Sequence, residues 1–220
     1  MDIKGNTVLV LGGTGLVGMA VCRRILKHEP KELVVLSLTK KEVLEGVKIL
    51  RKEFPGKIIK YDWGNIFVRS EYKDLARTDL LSKSRFRKNI IFDVINELNE
   101  DILSYSFLYQ SIKKYSPKII VDSINTATGV AYQDVYLSSI TTLNKADKAR
   151  KSEVTISDFS DEVEKLLCTQ YVPQLIRHIQ ILYEATKRFK TKFYFKIGTS
   201  GTGGMGLNIP YTHSEERPSR

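Results

Sequence analysis

Apolar residues recur along this chain in two alternating rhythms. Val8, Leu9, Val10 and Leu11 form an unbroken run, as expected of a strand covered on both faces. Val17, Ala20, Val21 and Ile25 then recur at helical spacing. The alternation continues: Leu33 to Leu38 predicts a second strand, Lys41 to Phe54 a second helix, and Lys57 to Tyr61 a third strand after the Pro55-Gly56 turn. Ile95, Leu98, Ile102, Tyr105, Tyr109 and Ile112 recur every three or four positions. They predict one long helix from Ile91, ended by Pro117, whose stripe suits packing on a sheet and equally a helix that forms a homodimer. Lys118 to Ser123 predicts strand four, Val172 to Phe189 a helix, and Lys192 to Ile197 strand five. Strands alternating with helices imply a parallel sheet. The exception is the polar stretch from Thr126 to Thr169, read as a long insertion after strand four with one short helix near Phe159 to Leu167.

The junction between the first strand and helix carries the most specific chemistry. Gly12 lets the chain turn sharply off the strand, Gly15 lets backbone amides approach a pyrophosphate, and Gly18 lets the helix pack against the sheet. The helix start supplies N–H groups and a positive dipole end to the phosphates. Gly12, Thr14, Gly15, Leu16, Val17 and Gly18 are therefore expected to bind a dinucleotide. The letters fit Gly-x-x-Gly-x-x-Gly, and Gly13, Gly15 and Gly18 also fit the tighter Gly-x-Gly-x-x-Gly.

Composition bounds the rest. The chain has 220 residues, 42% of them apolar, enough for one domain spanning 1–220. Its first residues do not read as a signal peptide and no apolar run approaches bilayer length, so a cytoplasmic protein without a membrane partner is expected. The formal charge of +10 favours anionic partners, a demand that nucleotide phosphates would meet. Lys83-Ser-Arg-Phe-Arg-Lys88 has the basic and aromatic look of a nucleic-acid patch. The remaining lysines are spread along solvated helix faces, which disfavours nucleic acid as a partner. Cys22 and Cys168 have no metal-ligand or redox spacing and are expected to be buried thiols, with no disulfide and no metal.

The glycine turn in its strand-turn-helix setting resembles the short-chain dehydrogenase/reductase superfamily, in particular its extended and atypical branches. That resemblance implies an α/β, Rossmann-like doubly wound parallel sheet with the long insertion after strand four. It also implies NAD(P)-dependent hydride transfer at a carbonyl or alcohol carbon of a small-molecule substrate, or an epimerase or dehydratase cycle. At the end of strand two an acid would bind the ribose 2′-hydroxyl of NAD. Here Ser37-Leu-Thr-Lys-Lys41 has no carboxylate, so Ser37, Thr39 and Lys40 point to NADP, with NAD as the alternative if the lysines only begin a solvated helix. The resemblance further implies that Asp62 accepts from the adenine amino group and Trp63 covers the ring. It places Asn125 and Thr126, in Ser123 to Gly129, behind the nicotinamide ribose and phosphates.

Catalytic residues are drawn from the segment after strand five. Within Gly198 to Gly206 the resemblance assigns polarisation of the substrate oxygen to Ser200, with Thr199 beside it, although a glycine-rich run replaces the family's usual residues. Tyr211 lies in a polar tail resembling a substrate loop. The family's Tyr-x-x-x-Lys pair has two look-alikes, Tyr109 with Lys113 and Tyr183 with Lys187, both on helices before strand five. Tyr211 is followed four positions later by Glu215. The chain is accordingly expected to be the N-terminal part of a longer enzyme, turning over poorly alone. A non-catalytic dinucleotide-binding sensor or scaffold is the competing reading, and a basic RNA-associated protein the third. His28 and His178 read as structural.

Overall fold

The computed structural model describes residues 2–125 and 135–197. Five parallel strands form one sheet: β1 (Thr7–Leu11), β2 (Glu32–Ser37), β3 (Ile59–Trp63), β4 (Ile119–Asp122) and β5 (Phe193–Lys196), in the order β3-β2-β1-β4-β5. Helices α1 (Leu16–Leu26) and α2 (Lys40–Glu53) link the first three strands. Between β3 and β4 run α3 (Arg77–Ser82), α4 (Ser84–Ile95), α5 (Glu100–Tyr105) and α6 (Phe107–Tyr115). Between β4 and β5 lie α7 (Val135–Arg150), α8 (Ile156–Cys168) and α9 (Tyr171–Arg188). The order reverses direction at β1 and β4, so their C-terminal ends form a crevice at the switch point of a Rossmann-like, doubly wound sheet.

The unbroken apolar runs have the expected cause. Val8, Val10, Leu33, Val35 and Val121 pack with Cys22, Leu26, Val47 and Leu50 of α1 and α2. Leu9, Leu11, Val34, Leu36 and Ile120 point the other way, onto Leu108, Ile112, Leu182 and Ala185 of α6 and α9. Successive side chains of each central strand thus enter opposite cores.

Three expectations are corrected. The single helix from Ile91 to Ile112 is three pieces, because local side chains compete for its backbone. The Asn99 side chain accepts from the Ile102 amide at 3.0 Å to start α5, and Ser106 accepts from the Tyr109 amide at 3.3 Å to start α6. Ile95 and Tyr105 consequently fall on exposed positions. The described part of the insertion is a helical hairpin: α7 packs on α8, and Thr155 and Asp158 form a reciprocal cap at the start of α8. Helix α7 escaped notice because it has no apolar stripe facing a core, its Tyr136, Leu137, Ile140 and Leu143 all being exposed. Finally, β3 runs two residues further than expected, so that Asp62 and Trp63 pair with Leu36 and Ser37 inside the sheet.

Cys22 and Cys168 are buried, and burial pushes their thiols up to about 12 and about 11 respectively. Both are inert at neutral pH. Among the described residues no helix is long and apolar enough to cross a membrane.

Candidate dinucleotide site

A cavity of about 700 Å³ opens at the C-terminal ends of the central strands. Gly12, Thr14 and Gly15 form its floor, Ser37 and Leu38 one side, and Ser123, Ile124 and Asn125 the other. The strand ends thereby assemble residues that are more than a hundred positions apart in the chain.

The glycines act through different constraints. Gly12 has φ +70°, a left-handed conformation that favours glycine. A Cβ on Gly18 would stand 2.1 Å from the Gly12 carbonyl oxygen and 2.7 Å from the Gly13 Cα, so the start of α1 touches the turn backbone to backbone. A Cβ on Gly15 would meet nothing nearer than 3.5 Å, which leaves ligand approach, and not packing, as the reason for glycine there. Gly15 caps α1 without a side-chain hydrogen bond, and the first turn has no acid. Its amide end therefore keeps its positive character for a ligand. Leu16 and Val17, in that first turn, are exposed.

The end of β2 departs from its sequence reading. Ser37 is buried and shares a short hydroxyl hydrogen bond with Thr14. Thr39 is spent as the N-cap of α2, accepting from the Glu42 amide at 3.3 Å. Glu42 returns its carboxylate to the Thr39 amide at 3.3 Å and lies 3.5 Å from the Ser37 hydroxyl. Glu42 and Glu45 both line the cavity, whereas the Lys40 ammonium sits 5.0 Å from the centre of the Trp63 ring. The carboxylates missing from Ser37 to Lys41 are thus brought in by the first turns of α2. The signal was available, since Thr39-x-x-Glu42 is capping-box spacing and aims a carboxylate back at the strand end.

Asp62 and Trp63 are placed elsewhere than expected. The Asp62 Oδ2 accepts from the Lys114 ammonium at 2.8 Å and the Tyr115 hydroxyl at 3.2 Å; Oδ1 accepts from the Trp63 amide at 3.0 Å, with Lys73 3.5 Å away. Burial works against the charged carboxylate, but these hydrogen bonds and lysines hold its pKa below the ordinary range. Trp63 is flanked by Lys40 and by Lys73, the latter 4.2 Å from its ring centre. Neither residue lines the cavity; Gly64, Asn65, Ile66 and Phe67 take that wall. Those four were missed because the strand end was set two residues early.

Thr126, Thr199, Ser200 and Tyr211 lie outside the described residues. Of the two Tyr-x-x-x-Lys look-alikes, Tyr109 is buried against Phe189, and Tyr183 is exposed with Lys187 near its ring. Neither pair lines the cavity. The basic cluster Lys83 to Lys88 is also not one surface, because Arg87 is buried among Glu164, Asp161 and the Leu81 carbonyl. Among the described residues no group of three or more His, Cys, Asp and Glu is arranged to hold a metal.

Comparison with known proteins bears on this geometry. Residues 8–95 match the family model described as polysaccharide biosynthesis protein. A curated relative, the probable polysaccharide biosynthesis protein EpsC of Bacillus subtilis (strain 168), is 27% identical over 118 residues, which are 54% of this chain and 14% of the relative. Among solved structures, Pen from Bacillus thuringiensis is 13% identical with a TM-score of 0.38, covering 89% of this chain and 50% of that one. A short-chain oxidoreductase from Pseudomonas aeruginosa PAO1, described as containing an atypical catalytic center, is 11% identical with a TM-score of 0.35, covering 91% of this chain and 98% of that one. This chain spans a small part of its curated relative and half of Pen. The parallel β3-β2-β1-β4-β5 sheet and the turn of Gly12, Gly15 and Gly18 give this chain a Rossmann-like fold, and residues 8–95, less than half of it, are similar to the polysaccharide biosynthesis family.

Proposed function

We propose that this chain is the dinucleotide-binding part of an NAD(P)-dependent enzyme that transfers hydride at a carbonyl or alcohol carbon, as an oxidoreductase or in an epimerase or dehydratase cycle. The observation that carries the reading is the cavity at the switch point, floored by Gly12, Thr14 and Gly15 at the uncapped amide end of α1. A pyrophosphate meets there both backbone donors and a positive dipole. The names of the matched family and relative favour a sugar-derived substrate.

Which dinucleotide binds is decided at the end of β2. Ser37, Thr39 and Lys40 pointed to NADP, yet the Thr39 hydroxyl is used as a cap and the Lys40 ammonium rests by Trp63. Glu42 and Glu45 face the cavity instead, and two carboxylates there repel a 2′-phosphate while offering acceptors to a free 2′-hydroxyl. This supports NAD over NADP. When bound, the nicotinamide would supply hydride chemistry; the described residues contribute binding and orientation. We assign substrate polarisation to Ser200, with Thr199 beside it in the sequence and Tyr211, in the polar tail that resembles a substrate loop, as the further catalytic candidate.

The competing reading is a non-catalytic dinucleotide sensor, favoured by the absence of a Tyr-x-x-x-Lys pair from the cavity among the described residues. Titration of the chain with NADH and NADPH, followed by thermal unfolding, tests binding first, since a ligand selective for the folded state must raise the Tm. No shift with either would overturn both readings. Hydride exchange with aldehyde or ketone sugars would exclude the sensor, whereas binding without exchange is the outcome both readings expect of the dinucleotide-binding part alone.

A further inference from the structure

A second cavity, of about 40 Å³, lies behind the wall of the first. Ile66 and Phe67 line both. Its polar lining comes from separate elements: Arg69 after β3, Asp93 on α4, Ser106 at the start of α6, and Gln174, Arg177 and His178 on α9.

The charges in this lining do not cancel. Arg69 and Asp93 neutralise each other in a two-pronged pair, with Nε to Oδ2 at 2.6 Å and Nη2 to Oδ1 at 2.8 Å, and the exposed Glu71 carboxylate stands 3.8 Å from Arg69 Nη1, outside the lining. His178 is 5% exposed, and burial depresses its pKa to about 4, so it is neutral at physiological pH. Arg177 is 7% exposed and has no carboxylate of its own. Its Nη2 donates to the Asn96 carbonyl at the broken end of α4, while Nε and Nη1 are buried without any hydrogen-bond partner. Burial accordingly depresses its pKa, with Asp93 opposing. An excess positive charge with unused donors is among the least favourable arrangements in a protein interior.

We propose that this cavity is a binding site for a small monovalent anion of halide or formate size, held by Nε and Nη1 of Arg177. Ser106 is placed to assist, since its Oγ accepts from the Tyr109 amide and keeps a proton to donate. The space suits such an ion: a water needs roughly 15 Å³ on the same measure, so 40 Å³ takes a halide or formate and is too small for a nucleotide. One negative charge also neutralises the lining, whereas water would fill the donors and leave the charge. The site stands independently of the dinucleotide reading, and its ligand would brace the Ile66-Phe67 wall of the larger cavity from behind.

Thermal unfolding of the full chain at constant ionic strength tests this, with sodium gluconate replaced stepwise by sodium chloride, bromide or formate. The small anions are expected to raise the Tm saturably, by roughly 5 °C or more at saturation, while gluconate does not. Arg177→Gln, which removes the charge and keeps a donor, should abolish the dependence. Should that variant fail to fold, Ser106→Ala should lower the Tm in gluconate by a few °C through the lost α6 cap and, beyond that constant offset, shift the anion midpoint upward. Crystals grown in bromide should show its anomalous signal beside Arg177. Equal Tm values in all salts, persistence of the anion effect in Arg177→Gln, or a cavity holding only water in the bromide crystals would overturn the proposal.

Discussion

Arg87 of α4, 1% exposed, donates from Nε to Glu164 of α8 at 2.9 Å. A second nitrogen reaches Asp161, a third the Leu81 carbonyl, and Ser84 adds its hydroxyl to Glu164 at 3.0 Å. The segment inserted after β4 is thereby tied to the helices that follow β3. Removing Arg87 leaves the Glu164 carboxylate, only 16% exposed, without its main partner.

Arg87→Ala is therefore expected to destabilise the chain by about 3 kcal/mol, the usual size for breaking a buried pair from one side. Urea unfolding measures the loss, and limited proteolysis should find α7 and α8 cleaved first. An unchanged midpoint with an intact hairpin would show that the ion cluster does not anchor this segment.

Gly18→Ala and Gly15→Ala should separate packing from binding. At Gly18 the new methyl meets backbone at 2.1 Å, and the expected outcome is a loss of about 3 kcal/mol or insoluble protein. At Gly15 the nearest atom is 3.5 Å away, so the fold should survive to within about 1 kcal/mol while dinucleotide affinity falls. Gly15→Asp should abolish binding altogether. Calorimetric titration of the folded variants decides, and full affinity in Gly15→Asp would remove the pyrophosphate from this turn.

Cofactor choice should respond to Glu42→Gln, which preserves capping geometry and deletes the charge. The expected result is a rise in NADPH affinity relative to NADH of about tenfold, corresponding to about 1.4 kcal/mol. Lys40→Glu with Lys41→Glu should weaken both dinucleotides alike if the lysines provide only general attraction. A selective loss of NADPH in that double variant, with no effect of Glu42→Gln, would restore the NADP reading.

Acid should destabilise the chain partly through His178. Burial, with Asp122 opposing and Lys196 adding to it, depresses its folded pKa from the ordinary 6.5 of a histidine to about 4. The unfolded state then binds more protons between those values, so this contribution is fully present above about pH 6.5 and is lost as pH falls toward 4. The total is roughly 3 kcal/mol. Unfolding free energies measured from pH 7.5 to 4 should fall less steeply in His178→Gln than in the parent chain. Parallel curves would place the acid sensitivity in other groups.

Much of the fold was legible from local pattern. The continuous run Val8 to Leu11 required cover on both faces and received it, and the glycine spacing placed a turn where Gly12 has positive φ and Gly18 touches backbone. The breaks at Asn96 to Asn99 and at Ser106 were hidden because an apolar period continues through them. Periodicity reports which residues dislike water; it says little about which backbone amide an Asn or Ser side chain will capture.

The sequence by itself determined the alternation of strands and helices and the glycine turn, because both depend on neighbours within a few positions. Where the charges ended up was decided only by tertiary structure. Asp62 was drawn to Lys114 and Tyr115, more than fifty positions away. Arg87 left the basic cluster for an acid seventy-seven positions on, and Arg177 was buried by packing against the end of α4. A charged side chain takes whatever partner offsets its desolvation, and that partner is fixed by the packing of distant elements and not by its neighbours in the chain.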